Sequence, residues 1–94
     1  MKPLPSFDEF ERSARAAGAD EVLVREWAPG VSDTHTHSFD ADALVVQGEM
    51  WLTCGDETRH LLPGDTFVLA HGTPHAERYG EQGATYWVAR RNGR

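Results

Sequence analysis

Residues 30–48 read Gly30-Val31-Ser32-Asp33-Thr34-His35-Thr36-His37-Ser38-Phe39-Asp40-Ala41-Asp42-Ala43-Leu44-Val45-Val46-Gln47-Gly48, and this stretch decides the fold. Two histidines stand two positions apart between glycines, and an apolar run leads to the second glycine. In an extended strand, side chains at i and i+2 point to one face with their Cα atoms about 6.6 Å apart, a span over which two imidazoles can converge on one ion. His35 and His37 meet that requirement. On this pair alone, a solvent-facing pair on a polar strand competes evenly with a metal site.

The chain around this stretch has strand grammar. Glu21–Trp27 is rich in β-branched and aromatic residues and closes on Pro29-Gly30. Ala43–Gln47, Met50–Cys54, Thr58–Leu62, Thr66–Ala70, Ala76–Tyr79 and Thr85–Arg90 follow as short strand candidates. They are separated by Gly48, Gly55-Asp56, Pro63-Gly64-Asp65, Gly72-Thr73-Pro74 and Gly80–Gly83, each a turn signal. Seven or eight short strands with turns every 8–12 residues predict a small antiparallel sandwich or barrel.

One helix precedes them. Ser6-Phe7-Asp8-Glu9 is a capping box, and Phe7, Phe10, Ala14 and Ala17 form one apolar stripe that stops at Gly18. The spacing predicts a helix over about residues 6–17. Its phenylalanines are expected to cover the end of the barrel or a neighbouring subunit.

The chain has 94 residues, 39% hydrophobic and 26% charged, with a net charge of -6. That length suits a single domain spanning 1–94, with the barrel over about 21–91. The acidic balance opposes phosphate backbones and anionic lipids, so neither nucleic acid nor membrane is an expected partner. No apolar run reaches the ~20 residues of a membrane span, and MKPLPSFDEF lacks a secretory core, which predicts a cytoplasmic protein. Cys54 is the only cysteine, so no intrachain disulfide staples the small core. Stability then has to come from packing, a metal or a partner subunit.

A second histidine segment, Gly64-Asp65-Thr66-Phe67-Val68-Leu69-Ala70-His71-Gly72-Thr73-Pro74-His75, runs turn, strand, Gly/Pro corner and a histidine at the head of the next strand. Taken with Gly30, His35, His37 and Gly48, it resembles the two-motif signature of the cupin family, G…HxH…E…G followed by G…PxG…H…N. The resemblance covers residues 30–79, and glycine punctuation agrees in both motifs. It implies a small all-β, jelly-roll-like barrel, often homodimeric, with a divalent metal held inside by the motif histidines and a glutamate. Functions in that family run from dioxygenases and isomerases to non-catalytic binding of sugars or effectors.

Residue by residue, His35 and His37 match the HxH pair and His75 the second-motif ligand. Three positions depart: Ala41 stands where the glutamate falls, Ala70 replaces the proline and Tyr79 the asparagine. Asp40 and Asp42 flank Ala41, but a one-residue offset points a strand side chain to the opposite face unless a bulge re-aims it. The expectation is therefore a three-histidine site, open beside Ala41 and similar to the three-histidine iron dioxygenases of the superfamily. The alternative is a mixed set completed by Asp42 or Asp40, suited to Fe, Mn, Ni or Zn. An empty site is the third outcome.

Strand alternation from His75 puts Glu77 and Tyr79 on its face. Glu77 is a candidate acid or base, or else a surface partner of Arg78 or Arg90. Tyr79 is a candidate donor to a bound oxygen, or else a core aromatic with a satisfied hydroxyl. His71 reads as an exposed turn residue at the barrel mouth and His60 as an outward strand residue. Cys54 reads as a small buried hydrophobe, Trp27, Trp51 and Trp87 as core or interface, and the run from Arg90 to Arg94 as a frayed end. Two functions fit: a metal-dependent oxygenase or isomerase on a small polar metabolite, or a non-catalytic module that binds or senses a small molecule or the metal.

Overall fold

The computed structural model describes residues 3–92. Helix α1 (Phe7–Ala16) begins at the expected box, with Ser6 Oγ accepting from the Glu9 amide at 3.1 Å and Glu9 Oε1 accepting from the Ser6 amide at 2.8 Å. The bond from the Ser6 amide, followed by that involving its side chain, holds the Glu9 carboxyl below its ordinary range. Phe7 meets Trp87 edge-on at 5.3 Å between ring centroids and Phe10 meets it at 5.7 Å. The helix thus lies on the outer face of the sheet, not over the end of the barrel: inward side chains alternate with outward ones, and Trp87 sits between the inward Tyr86 and Val88.

Six antiparallel strands follow: β1 (Glu21–Trp27), β2 (Gly30–Val31), β3 (Asp40–Cys54), β4 (Glu57–Leu61), β5 (Thr66–Leu69) and β6 (Ala76–Arg91). Two of them are long and bent, and they build the barrel. The first part of β3 pairs with β5 and with the last part of β6, which in turn pairs with β1. The second part of β3 pairs with β4 and with the first part of β6, whose other neighbour is β2. Two four-stranded layers therefore share β3 and β6, and each long strand passes from one layer into the other.

Gly48 and Gly80–Gly83 were expected to be turns, and the structure corrects this: they are bends inside continuous strands. The β3/β6 register slips between Val45 and Gln47 and again between Gly48 and Met50, and such bulges bend a strand without ending it. Gly48 and Gly83 have φ of 75° and 73°. A Cβ on Gly48 would run into the Gly83 carbonyl, and one on Gly83 into the Trp27 carbonyl. The backbones cross there too closely for any side chain, so glycine marks the corner of the barrel.

The core fills the space between the layers: Ala43, Val45 and Met50 from β3, Leu61 from β4, Phe67 from β5 and Val88 from β6 are buried. Cys54 packs partly buried against it. The C-terminal run does not fray as far as the described residues go. Arg90 and Arg91 end β6, and the Asn92 amide donates to Asp20 Oδ2 at 2.7 Å. Gly93 and Arg94 lie outside the described residues. Among the described residues no helix is long and apolar enough to cross a membrane.

Candidate metal centre

The HxH segment is held as an extended edge beside the chain that leads into β6. Ser32 starts the zipper, its amide donating to the Glu77 carbonyl at 2.8 Å while its Oγ accepts from the Glu77 amide at 2.9 Å. His35 and His75 then exchange two backbone hydrogen bonds, at 2.9 and 3.0 Å, and the Gly72 amide donates to the His37 carbonyl at 2.8 Å. Residues directly opposite in an antiparallel pair share a face, so this pairing delivers His75 to the side on which His35 and His37 lie. Ring centroids are 4.4 Å apart for His35 and His75, 4.9 Å for His35 and His37, and 5.0 Å for His37 and His75. One nitrogen from each ring lies within 4.8 Å of the other two.

Backbone carbonyls decide which nitrogens are available. His35 Nδ1 is 2.7 Å from the Asp33 carbonyl oxygen and His75 Nδ1 is 2.9 Å from that of Thr73. A carbonyl only accepts, so each Nδ1 carries the proton and each Nε2 of the neutral ring keeps its lone pair. His75 Nε2 is buried with no hydrogen-bond partner. Glu77 Oε2 lies 3.6 Å from it, too far for a hydrogen bond. The lone pair of His75 Nε2 thus has no partner in the protein, and a cation held by the three imidazoles would engage it. Burial first, and the neighbouring histidines next, push the His37 pKa down and favour the neutral ring that a metal requires. The donor set fits a divalent transition metal, for which imidazole is a preferred ligand.

Glu77 is 5% exposed, and its neighbours direct its two oxygens to different tasks. Tyr79 donates to Oε1 at 3.0 Å and Tyr86 donates to the same atom at 3.3 Å. Burial, then the carboxylate charge, push both phenols well above their ordinary range, so both stay protonated donors. Tyr79 is held in turn by Trp27, stacked on it at 5.3 Å with planes 3° apart. Glu77 is therefore no surface partner of Arg78 or Arg90: it is a buried carboxylate with Oε1 occupied and Oε2 turned toward His75.

A cavity of about 110 Å³ opens beside these groups. Ala41, buried in β3, lines it, so the position of the missing glutamate faces the interior as counted from the sequence. The structure does not bring Asp40 or Asp42 to the histidines. Asp42 is exposed and, with Asp40, lines a groove between α1 and the outer face of the sheet. Both register slips in β3 fall after residue 42, leaving nothing to re-aim either carboxylate.

The other histidines lie outside. The His71 amide and Nδ1 approach Asp40 Oδ1 at 2.8 and 3.1 Å, and His60 stacks on Trp51 with Nε2 2.7 Å from Glu49 Oε2. Trp51 faces out, with the Arg78 guanidinium 3.8 Å above its ring.

Arg25 and Arg90 line the cavity, and sequence reasoning missed their place there. Alternation along β1 and β6 was the available signal: Arg25 shares a face with Leu23 and Trp27, and Arg90 with Tyr86 and Val88.

Residues 22–91 match the AraC-like ligand binding domain family. An uncharacterized HTH-type transcriptional regulator of Haemophilus influenzae is 44% identical over 36 residues, which are 38% of this chain and 12% of the regulator. The chain therefore corresponds to a small part of that relative. Among solved structures, KdgF from Halomonas sp. superposes with a TM-score of 0.67 at 28% identity, over 78% of this chain and 69% of that one. DMSP lyase DddQ from Ruegeria pomeroyi gives 0.64 at 26% identity, over 76% of this chain and 36% of that one. With the two-layered barrel and its paired motifs, the match over most of the chain shows that this protein is a cupin belonging to the AraC-like ligand binding domain family.

Proposed function

We propose that this cupin binds one divalent metal through His35, His37 and His75, and uses Glu77 to move a proton on a small molecule held in the cavity. The observation that carries the reading is the cluster of His35, His37 and His75, one nitrogen of each within 4.8 Å of the others, with the Glu77 carboxylate buried beside it at 3.6 Å from His75 Nε2. When bound, the metal supplies Lewis acidity, polarising an oxygen of the ligand and acidifying a neighbouring C–H. The protein's own part is proton handling. Oε2 of Glu77 is the atom that takes or returns the proton, because the two tyrosine hydroxyls occupy Oε1 and fix the carboxylate plane. Phe67 and Leu69 give the cavity an apolar wall that limits water.

This chemistry corresponds to an isomerase or lyase and needs no oxidant, and the similarity to a DMSP lyase leans the same way. Solvent-proton exchange tests it: small keto and hydroxy acids are incubated in D2O with the metal-loaded protein and followed by NMR. Wild type should exchange a C–H on at least one, and Glu77→Gln should not. Oxygen uptake by the Fe(II) form without such exchange would favour the oxygenase class instead. Metal content per chain after purification should approach one. A protein that stays metal-free after exposure to Fe, Mn, Ni and Zn would overturn the metal reading.

A second reading has its own support, in the match to part of a transcriptional regulator and in the family's ligand-binding character. In it, the barrel senses a ligand without turning it over. Thermal stabilisation by a small molecule with no exchange and no turnover favours this module. Both readings place the protein in the cytoplasm as a homodimer. Light scattering at micromolar concentration tests the dimer.

A further inference from the structure

The same cavity carries more positive charge than its metal role explains. Arg25 enters from β1 and Arg90 from β6, while Glu77 is the only carboxylate among the described residues that line it. Two guanidiniums thus face one carboxylate before any metal cation is added, in a chain whose net charge is -6. Among the described residues no ion pair joins either arginine to an acidic group. Glu21 stands directly across from Arg90 in register, yet its Oε1 accepts from Asn92 Nδ2 at 3.0 Å. Arg90 Nε is buried with no hydrogen-bond partner, an arrangement that costs free energy unless something fills it.

Both arginines are positioned by aromatic rings. The Arg90 guanidinium carbon lies 4.3 Å from the Phe39 ring centroid and that of Arg25 lies 4.8 Å from the Trp27 ring centroid. Phe39 in turn stacks on His37 at 4.7 Å, which ties Arg90 to the histidine cluster. Stacking restrains a guanidinium by its face and leaves its in-plane N–H fork for a planar anion.

We infer that Arg25 and Arg90 form the recognition site for the carboxylate of a small organic acid bound beside the three histidines. This deepens, and rests on, the reading of the cavity as the ligand site of a metal centre. A carboxylate matches the forked donors in shape and charge. The cavity volume of about 110 Å³ lies well below the ~300–1,000 Å³ usual for drug-sized ligands, which points to an acid of a few carbons.

Calorimetric titration of the full chain, metal-loaded and metal-stripped, with acetate, lactate and succinate against acetamide and lactamide tests this. At least one carboxylate should bind tenfold or more tightly than its amide, since the amide lacks the charge that two guanidiniums address. Arg90→Met and Arg25→Met should each weaken that binding about tenfold or more, with metal content per chain unchanged. Arg90→Lys, which keeps the charge and stem but not the fork, should weaken it by less than Arg90→Met does, and it serves if the methionine variant fails to fold. Binding that is equal for acid and amide, absent at tens of millimolar, or indifferent to both arginines overturns the inference. Arginine-dependent carboxylate binding in a protein that takes up no metal would support this site while overturning the metal centre. Full metal occupancy without discrimination between acid and amide would do the reverse.

Discussion

Histidines inside and outside this barrel differ in the partners of their ring nitrogens. His60 and His71 lie on the surface against carboxylates, Glu49 and Asp40, at 2.7 and 3.1 Å. His35 and His75 turn Nδ1 to backbone carbonyls and leave Nε2 toward a shared interior point. A surface carboxylate takes up a ring nitrogen in a hydrogen bond and engages the imidazole outside. A carbonyl partner sets the tautomer and leaves a lone pair for a metal. Residue type is therefore a weaker guide than the second nitrogen's partner.

The comparison breaks most decisively at His75. His75→Ala should reduce metal content per chain to near zero, with an affinity loss of at least about 100-fold, beyond the 10–100-fold typical of outer-shell partners. His60→Ala and His71→Ala should leave metal content unchanged; equal losses in all three, read by elemental analysis, would erase the distinction. Next is Glu77→Gln, which retains an oxygen for the two tyrosines but no base. It should slow proton exchange by roughly 10²–10⁴-fold while metal is retained. Loss of metal in this variant would show instead that Glu77 acts as a ligand.

A smaller effect comes from refilling the open position. Ala41→Glu places a carboxylate on the cavity side of β3 and should tighten metal binding by on the order of tenfold, about 1.4 kcal/mol. Asp42→Ala, on the outer face, should change nothing in the same competition titration.

The mildest effect is that of pH on the metal-free protein. His37 has its pKa lowered in the fold from 6.5, so below that pH the unfolded chain binds more protons than the folded one. The contribution of His37 is fully present above about pH 6.5 and is lost as pH falls through the lowered folded value. Melting temperature should fall accordingly on acidification, and less so in His37→Gln.

Local chemistry made much of the architecture legible. The capping box at Ser6 started the helix one residue later, and Glu21–Trp27 formed a strand with those bounds. The HxH pair and His75 were recognised through motif spacing, and they do converge. Expectations diverged at Gly48 and Gly80–Gly83, where a turn signal and a strand corner look alike. Glycine serves both, and only the close approach of Gly83 and the Trp27 backbone separates them.

What one strand segment contains was readable in order along the chain: periodicity, punctuation, the facing of Ala41 against its aspartate neighbours, and the spacing of the histidines. What one strand meets was not. Tyr86 reaches Glu77, and Arg25 and Arg90 enter the cavity, because β6 bends between the two layers and pairs with β1. Side-chain facing follows from a period of two within a single strand. Convergence of side chains from separate strands depends on register and curvature, which arise only when the layers close on a common core.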